Sequence, residues 1–314
     1  MNLHHDKKLF SYTLRAASLH LDIKLEFVEK DYWITLVLSR LAKSKYVSES
    51  VFKGGTSLSK GYNLIGRFSE DVDIAIIIDD TKTGNEIKTI IRAIEKEITP
   101  DLIEVQMEGV TSKGSRFRKS VFEFVSTDKK NKNNKLIVEV NSFANPSPFQ
   151  RLSIKSFVFD FLTQTGNERY IDENDLQPFE VNVLDKKQTL LEKLVSLIRF
   201  SFEVNPVESI SKKIRHFYDI YFLLNDPECV GFTASDMFKT QFDEIMKHDK
   251  QMFDEPTGWQ NKSVTESPLV IDFENIWKQL KVKYQTELSA LAYRPIPDEK
   301  SVSESFTGLI KRIK

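Results

Sequence analysis

Residues 51–78, VFKGGTSLSKGYNLIGRFSEDVDIAIII, constrain this chain more than any other stretch. An apolar lead-in, Val51 and Phe52, runs into a small-residue turn, Gly54-Gly55-Thr56-Ser57. Leu58, Leu64 and Ile65 follow with charged and small residues between them, which suits a short helix. Asp71-Val72-Asp73 then opens an apolar run, Ile74, Ala75, Ile76, Ile77 and Ile78, that reads as a buried strand. Side chains i and i+2 of a strand share a face. Asp71 and Asp73 therefore project together, while Val72 and Ile74 point into the core.

That pattern has chemical consequences. Two adjacent carboxylates repel each other, and keeping both ionised costs free energy unless a cation sits between them. Hard oxygen ligands on a rigid element select Mg²⁺, held by one or two carboxylates together with substrate phosphates. The glycine turn offers the complementary half, because its amides approach phosphate oxygens without Cβ obstruction and the following helix directs its positive end at them. Each piece alone has an ordinary explanation: a glycine pair is a turn, and an Asp-x-Asp is a solvated strand end. Joined by a short helical segment, they point to phosphoryl or nucleotidyl transfer.

Gly54-Gly55-Thr56-Ser57 with Asp71-x-Asp73 resembles the signature of the polymerase-β-type nucleotidyltransferase superfamily. Lys53-Gly54-Gly55-Thr56-Ser57-Leu58 and Arg67-x-Ser69-x-Asp71-x-Asp73 are similar, more narrowly, to the AbiEii/AbiGii toxin family. Those proteins are the toxin halves of bacterial toxin–antitoxin and phage abortive-infection pairs. Val28-Glu29-Lys30-Asp31-Tyr32-Trp33 resembles the family's N-terminal helix. Glu192-Lys193-Leu194 with Arg199, and Arg215-His216-x-Tyr218-Asp219-Ile220-Tyr221, resemble its remaining two motifs. The matches run from about residue 25 to 225, and the last third shows none.

The resemblance implies an α+β fold, a mixed sheet bearing the acids with flanking helices and a mainly helical C-terminal domain. It implies two Mg²⁺ ions, an NTP substrate and an acceptor at the 3′ end of tRNA, with translation arrest as the effect. Lys193 is then placed on nucleotide phosphates, and Asp219 completes the site. A separately encoded antitoxin, often a DNA-binding repressor, would be the protein partner. Without the resemblance, Lys193 reads as a surface lysine beside the core and Asp219 as the i+4 partner of Arg215.

A third acid comes from a later strand. Residues 120–125 and 136–140 are strand candidates joined by a polar loop over 128–135, an antiparallel hairpin. Glu139 interrupts the apolar run of the second strand, and burying a carboxylate without a partner is costly. The superfamily places a third acid on such a strand, so Glu139 joins Asp71 and Asp73 as the metal set. Glu123 competes for the role, expected near Glu139 across the hairpin; either acid could instead lie on the solvent face. The expected catalytic residues are Asp71, Asp73, Glu139, Lys193 and Asp219. Gly54, Gly55, Thr56, Ser57 and Lys193 would hold nucleotide, with Arg67 and Arg199 as weaker candidates. Catalysis by Asp31 is not expected.

Elsewhere the pattern predicts two helices over 9–45, the second with Phe27, Tyr32, Trp33, Leu36, Val37, Leu38 and Leu41 at helical spacing. A turn at Asp79-Asp80-Thr81, a helix over 85–98 stopped by Pro100, and a strand over 103–107 follow. Residues 157–162 are ambiguous between strand and helix, and 179–184 alternate as a strand. Asp185 is expected to cap a helix over 186–202, with Gln188 as capping-box partner. Further helices begin near Ser211, over 242–252 and over 271–293; residues 254–268 read as a loop, and a charged tail follows Pro297. Two domains result, 1–184 and 185–314.

A chain of 314 residues, 40% hydrophobic and 29% charged, is ample for a globular core. No apolar run approaches the ~20 residues needed to cross a bilayer. With no signal-peptide pattern and a single cysteine, Cys229, a cytoplasmic protein is expected. A net charge of −1 argues against a uniformly basic nucleic-acid binder. Cations do cluster, at Lys113, Arg116, Arg118 and Lys119, at Lys129, Lys130, Lys132 and Lys135, at Lys212, Lys213 and Arg215, and at Lys311, Arg312 and Lys314. Such groups can touch a polyanion locally or simply face water. Two other functions suit the same residues: a nucleotide-binding regulatory module without transfer activity, and a transferase acting on a protein or small-molecule hydroxyl.

Overall fold

The computed structural model describes residues 1–314 apart from 79, 80, 129, 130 and 132. The expected turn at Asp79 and Asp80 and the cations Lys129, Lys130 and Lys132 lie outside the described residues. The chain divides into two compact units, Met1–Asn63 with Phe68–Leu184, and Leu64–Arg67 with Asp185–Lys314. The architecture is α+β, a mixed sheet with many helices.

In the first unit, α1 (Lys7–Leu21) starts at Asp6, whose carboxylate accepts the Lys8 and Leu9 amides. Next come α2 (Leu25–Lys43), β1 (Ser50–Lys53), α3 (Gly54–Lys60), β2 (Asp71–Ile76) and α4 (Gly84–Ile98). The Thr83–Glu86 capping box fixes the start of α4, where apolar residues recur every three to four positions. Then follow β3 (Ile103–Val105), β4 (Ser112–Lys113), β5 (Phe117–Glu123), β6 (Lys135–Asn141), β7 (Phe149–Ile154), α5 (Phe157–Gln164), α6 (Glu168–Glu173) and β8 (Phe179–Leu184). The ambiguous segment after Ser156 is helical because the Ser156 hydroxyl caps it at the Phe159 amide.

The strands form one sheet in the order β3-β5-β6-β2-β1-β8-β7, with β4 pairing β5. β2 and β6 pair in parallel, as do β1 and β8, while the other pairings are antiparallel. Central β2 buries Val72, Ile74, Ala75 and Ile76. Helix α2 is buried on nearly every side, and its aromatic residues stack on the sheet unit, Trp33 on Phe124 at 5.4 Å and Phe27 on Phe68 at 4.9 Å.

Several expectations are corrected here. The glycines do not form a separate turn: Gly54 and Gly55 open α3 itself, and the helix stops at Lys60, before Leu64 and Ile65. Strand β2 ends at Ile76, short of Ile77 and Ile78. Strand β7 has no counterpart in the sequence reading.

The second unit contains α7 (Lys186–Phe200), α8 (Pro206–Ser211), α9 (Arg215–Leu224), α10 (Pro227–Thr233), α11 (Asp236–Met252), α12 (Pro268–Ile271), α13 (Phe273–Leu291) and α14 (Glu299–Lys311). Asp185 caps α7 through the Lys187 amide rather than through a capping box with Gln188. The helix expected from Ser211 starts at Arg215. The charged tail is a helix, α14, burying Val302, Phe306, Leu309 and Ile310. Phe217, Phe273, Trp277 and Phe306 form one ring cluster, so α14 completes the core of this unit. Segment 64–67 is bound into the same unit by main-chain pairing: the Tyr293 and Arg294 amides donate to the Gly66 carbonyl at 2.9 and 3.2 Å. Cys229 is buried, which pushes its thiol up to about 12. Among the described residues, no helix is long and apolar enough to cross a membrane.

Candidate active site

In the first unit, strand register brings the acids together. Asp73 lies opposite Lys53 of β1 on one side and opposite Glu139 of β6 on the other. Asp71, two residues earlier on the same face, pairs with Ile137. Asp71 and Asp73 are half-buried, whereas Val72 between them is fully buried. Glu139 accepts from the Asn141 side-chain Nδ2 at 3.1 Å and lies 3.6 Å from Lys119 Nζ.

The crowding of like charge is visible in Asp73. Burial raises its pKa first, then Glu139 and Asp71 raise it further; Lys53 and Lys119 oppose them, and the net result is about 8. A carboxyl in that position stays protonated at neutral pH or takes a cation in place of the proton. Three oxygen donors with excess negative charge suit a hard divalent ion. Among the described residues, the cluster with three ligand atoms mutually within 4.8 Å is a different one, His4, His5 and Asp101. There the Asp101 carboxylate already meets Arg40, and the His4 Nδ1 meets Tyr32 Oη at 2.8 Å.

Gly54 abuts this acidic face. Its φ is +81°, and a Cβ there would lie 2.2 Å from Asp73 Oδ2. Only glycine meets both the left-handed backbone and the close approach. The Thr56 hydroxyl donates to the Asp71 carbonyl, and the Ser57 hydroxyl donates to the Gly54 carbonyl at 2.9 Å. Both side chains are buried, and these bonds tie α3 to β2 and tighten the first turn of α3.

Glu123 does not compete for this position. The antiparallel register sets it opposite Lys135, at the far end of the hairpin, and Glu139 opposite Lys119. The expected proximity of Glu123 to Glu139 is thus corrected, since no local pattern fixes the hairpin register.

The second unit holds the remaining candidates. Arg67 donates from Nε and Nη2 to the two oxygens of Asp219, at 2.7 Å each, and Lys193 Nζ lies 2.8 Å from Asp219 Oδ2. All three side chains are buried. Burial alone would raise the Asp219 pKa, but Arg67 and Lys193 outweigh it and hold the carboxyl far below its ordinary value. The i+4 pairing of Asp219 with Arg215 does not form; Arg215 turns to Glu287 at 3.5 Å. Lys193 is correspondingly no surface lysine. Arg199 stands apart from this cluster, stacked over Phe253 at 3.9 Å and paired with Asp249 at 3.6 Å.

His216 was missed as a candidate. Its Nδ1 is buried without a hydrogen-bond partner, and burial, then Lys193 and Lys213, hold its pKa well below 6.5. Within the basic clusters, Arg118 meets Glu95, Lys113 meets Glu104 and Lys212 meets Glu208.

Comparison with known proteins follows the same lines. The family described as nucleotidyl transferase AbiEii toxin, type IV toxin–antitoxin system, matches residues 36–304. The match therefore reaches through the last third, where the sequence reading found nothing, and begins after the phrase at 28–33. Among solved structures, MenT4, a nucleotidyltransferase toxin from Mycobacterium tuberculosis H37Rv, has a similar fold. The TM-score is 0.52 at 13% identity, covering 95% of this chain and 89% of that one. No curated protein matches the sequence.

Proposed function

The chain belongs to the AbiEii nucleotidyltransferase toxin family of type IV toxin–antitoxin systems, and from that premise we propose an Mg²⁺-dependent enzyme that transfers NMP from an NTP to the 3′ end of tRNA. The observation that supports this reading most is the meeting of Asp71, Asp73 and Glu139 on one sheet face against Gly54. Asp71, Asp73 and Glu139 would hold the Mg²⁺, which would supply neutralisation of the triphosphate charge.

The chain's own groups divide the remaining work. The acceptor hydroxyl oxygen forms a bond to the α-phosphorus, and the bond from that phosphorus to the bridging oxygen breaks, releasing pyrophosphate. Glu139 favours the deprotonated hydroxyl. The main chain at residues 54–57 holds the triphosphate, with Gly54 leaving Asp73 room. Lys193, paired with Asp219, is the cation that the family resemblance assigns to nucleotide phosphate. Arg67 acts by locking Asp219, so it orients rather than touches nucleotide. Arg199, the other weaker candidate, is engaged by Asp249 and Phe253. Growth arrest follows from blocked tRNA, and a separately encoded antitoxin, a DNA-binding repressor, relieves it in the cytoplasm.

The test is incubation of the purified protein with labelled NTPs and Mg²⁺ in parallel with total RNA, protein lysate and aminoglycosides. Label on tRNA, absent in Asp71→Ala and Asp73→Ala variants that remain folded, is expected. Label on protein or aminoglycoside would overturn the acceptor. NTP binding by calorimetry without any labelled product would overturn the transferase.

A further inference from the structure

Helix α2 buries three consecutive charged residues, Glu29, Lys30 and Asp31, at 0%, 1% and 3% exposure. Charged side chains are almost never fully buried unless paired. Successive helical residues point about 100° apart, so neighbours cannot share one partner. Each of the three reaches a different segment. Glu29 takes the Ser126 hydroxyl and the Thr127 amide, both at 2.6 Å. Lys30 Nζ donates to Glu70 Oε1 at 2.9 Å and to Asn133 Oδ1 at 2.8 Å, and the Asn133 amide closes the triangle on Glu70 at 3.1 Å. Asp31 accepts from Lys60 Nζ through one oxygen and from the Phe157 amide, at 2.8 Å, through the other.

Lys30 thereby reaches the entry to β2, which carries Asp71 and Asp73, and Asp31 reaches the end of α3, whose Gly54 abuts the acidic face. Glu70 immediately precedes Asp71, and its carbonyl accepts the Ile137 amide at 3.3 Å where β2 meets β6. That pairing sets Asp73 beside Glu139. Lys60 is the last residue of α3, the helix that begins at Gly54. Adjacent residues of one buried helix therefore hold the start of β2 and the end of α3. Buried ion pairs give little net stability against apolar replacements of similar volume. Two such pairs from adjacent residues, beside the hydrogen-bonded Glu29 carboxylate, are thus poorly explained as glue, and well explained as fixed position.

We propose that Lys30 and Asp31 are positioning residues for nucleotidyl transfer, Lys30 setting the metal-binding acids through Glu70 and Asp31 setting helix α3, which opens at Gly54, through Lys60. The inference rests on the function proposed above, since it assigns these residues to that site.

Four variants of the full chain test it: Lys30→Met, Glu70→Gln, Asp31→Asn and Lys60→Met. Mn²⁺ binding is measured by calorimetry, folding by urea titration, and KM for NTP and kcat by transfer rate. Lys30→Met and Glu70→Gln should each weaken Mn²⁺ binding about tenfold, and the double variant should be no weaker than either single one. Asp31→Asn and Lys60→Met should raise KM for NTP while leaving Mn²⁺ binding near wild type. A residue that only supports the fold would lower activity in proportion to the unfolded fraction and produce no such split.

Unchanged Mn²⁺ affinity in folded Lys30→Met and Glu70→Gln overturns the proposal. Glu70 is 37% exposed at its side chain, so Glu70→Gln carries the test even if Lys30→Met fails to fold. Should wild type label no acceptor, the proposed reaction falls, and the Mn²⁺ measurement still decides the positioning.

Discussion

Replacing Gly54 by alanine perturbs the site at its tightest contact. The added Cβ would sit 2.2 Å from Asp73 Oδ2 and 3.2 Å from its Cγ. Ordinary C···O contacts begin near 3.3 Å, so the overlap is about 1 Å. Part of the cost is backbone: holding φ at +81° with a Cβ present costs about 1–2 kcal/mol. The rest falls on Asp73, which must leave its rotamer at roughly 1 kcal/mol. The total of about 2–3 kcal/mol is a fraction of a typical domain's stability, so the protein should stay folded. Melting should fall by roughly 4–12 °C for a unit of this size. Transfer should suffer far more, because displacing a reacting group by about 1 Å costs on the order of 100-fold in rate. Urea titration with initial-rate labelling separates the two effects. Gly308→Ala, inside α14 with nothing near its Cβ position, is the control and should gain up to about 1 kcal/mol. A Gly54→Ala protein that transfers NMP at the wild-type rate would refute the reasoning, since it would show that Asp73 need not stay where Gly54 lets it lie.

Asp73 also predicts a pH dependence. Its folded pKa, about 8, lies above the ordinary 3.8, so its contribution to stability is present below pH 4 and lost as pH rises through 8. Melting temperatures of wild type minus Asp73→Asn should decline across that window without divalent ions, and Mg²⁺ should restore more at pH 9 than at pH 6; parallel profiles would contradict this. Asp219→Asn should cost about 3–5 kcal/mol by leaving Arg67 and Lys193 without a counter-charge. Because the folded Asp219 pKa lies below its unfolded value, that deficit should be full above pH 4 and shrink as pH falls further, which urea titrations at pH 7 and pH 3 will check. Cys229 should resist thiol reagents until the protein unfolds, since it is buried and its thiolate is disfavoured; rapid labelling of folded protein would be the contrary result.

What could be read in the chain depended on the range over which each signal acts. The shared face of Asp71 and Asp73 follows from strand periodicity, a two-residue property. Glu139 was visible as an acid inside an apolar strand, but its place beside Asp73 depends on the parallel pairing of β2 with β6, which no local pattern encodes. Glu123 was drawn toward it by the same missing register. The Arg67–Asp219 clamp joins residues 152 apart, and the sequence offered Arg215, four residues away, as a nearer partner. Helix α14 was legible and went unread: Val302, Phe306, Leu309 and Ile310 keep helical spacing, but the charges between them and the two prolines before them suggested a tail. Strand β7, FQRLSI, is a mostly exposed strand at the end of the sheet, so it lacks the apolar alternation that marks a half-buried one. Gly54 was recognised as permissive backbone, yet the side chain it accommodates became evident only in three dimensions.

The most direct test of the account is a pair of transfer reactions to tRNA, one with NTP labelled at the α-phosphate and one at the γ-phosphate. Attack at the α-phosphorus assisted by Asp71, Asp73 and Glu139 predicts label on tRNA from the α-labelled nucleotide only, with loss of that label in Asp73→Asn. Label arriving from the γ-phosphate, or persisting at the wild-type rate in Asp73→Asn, would contradict it.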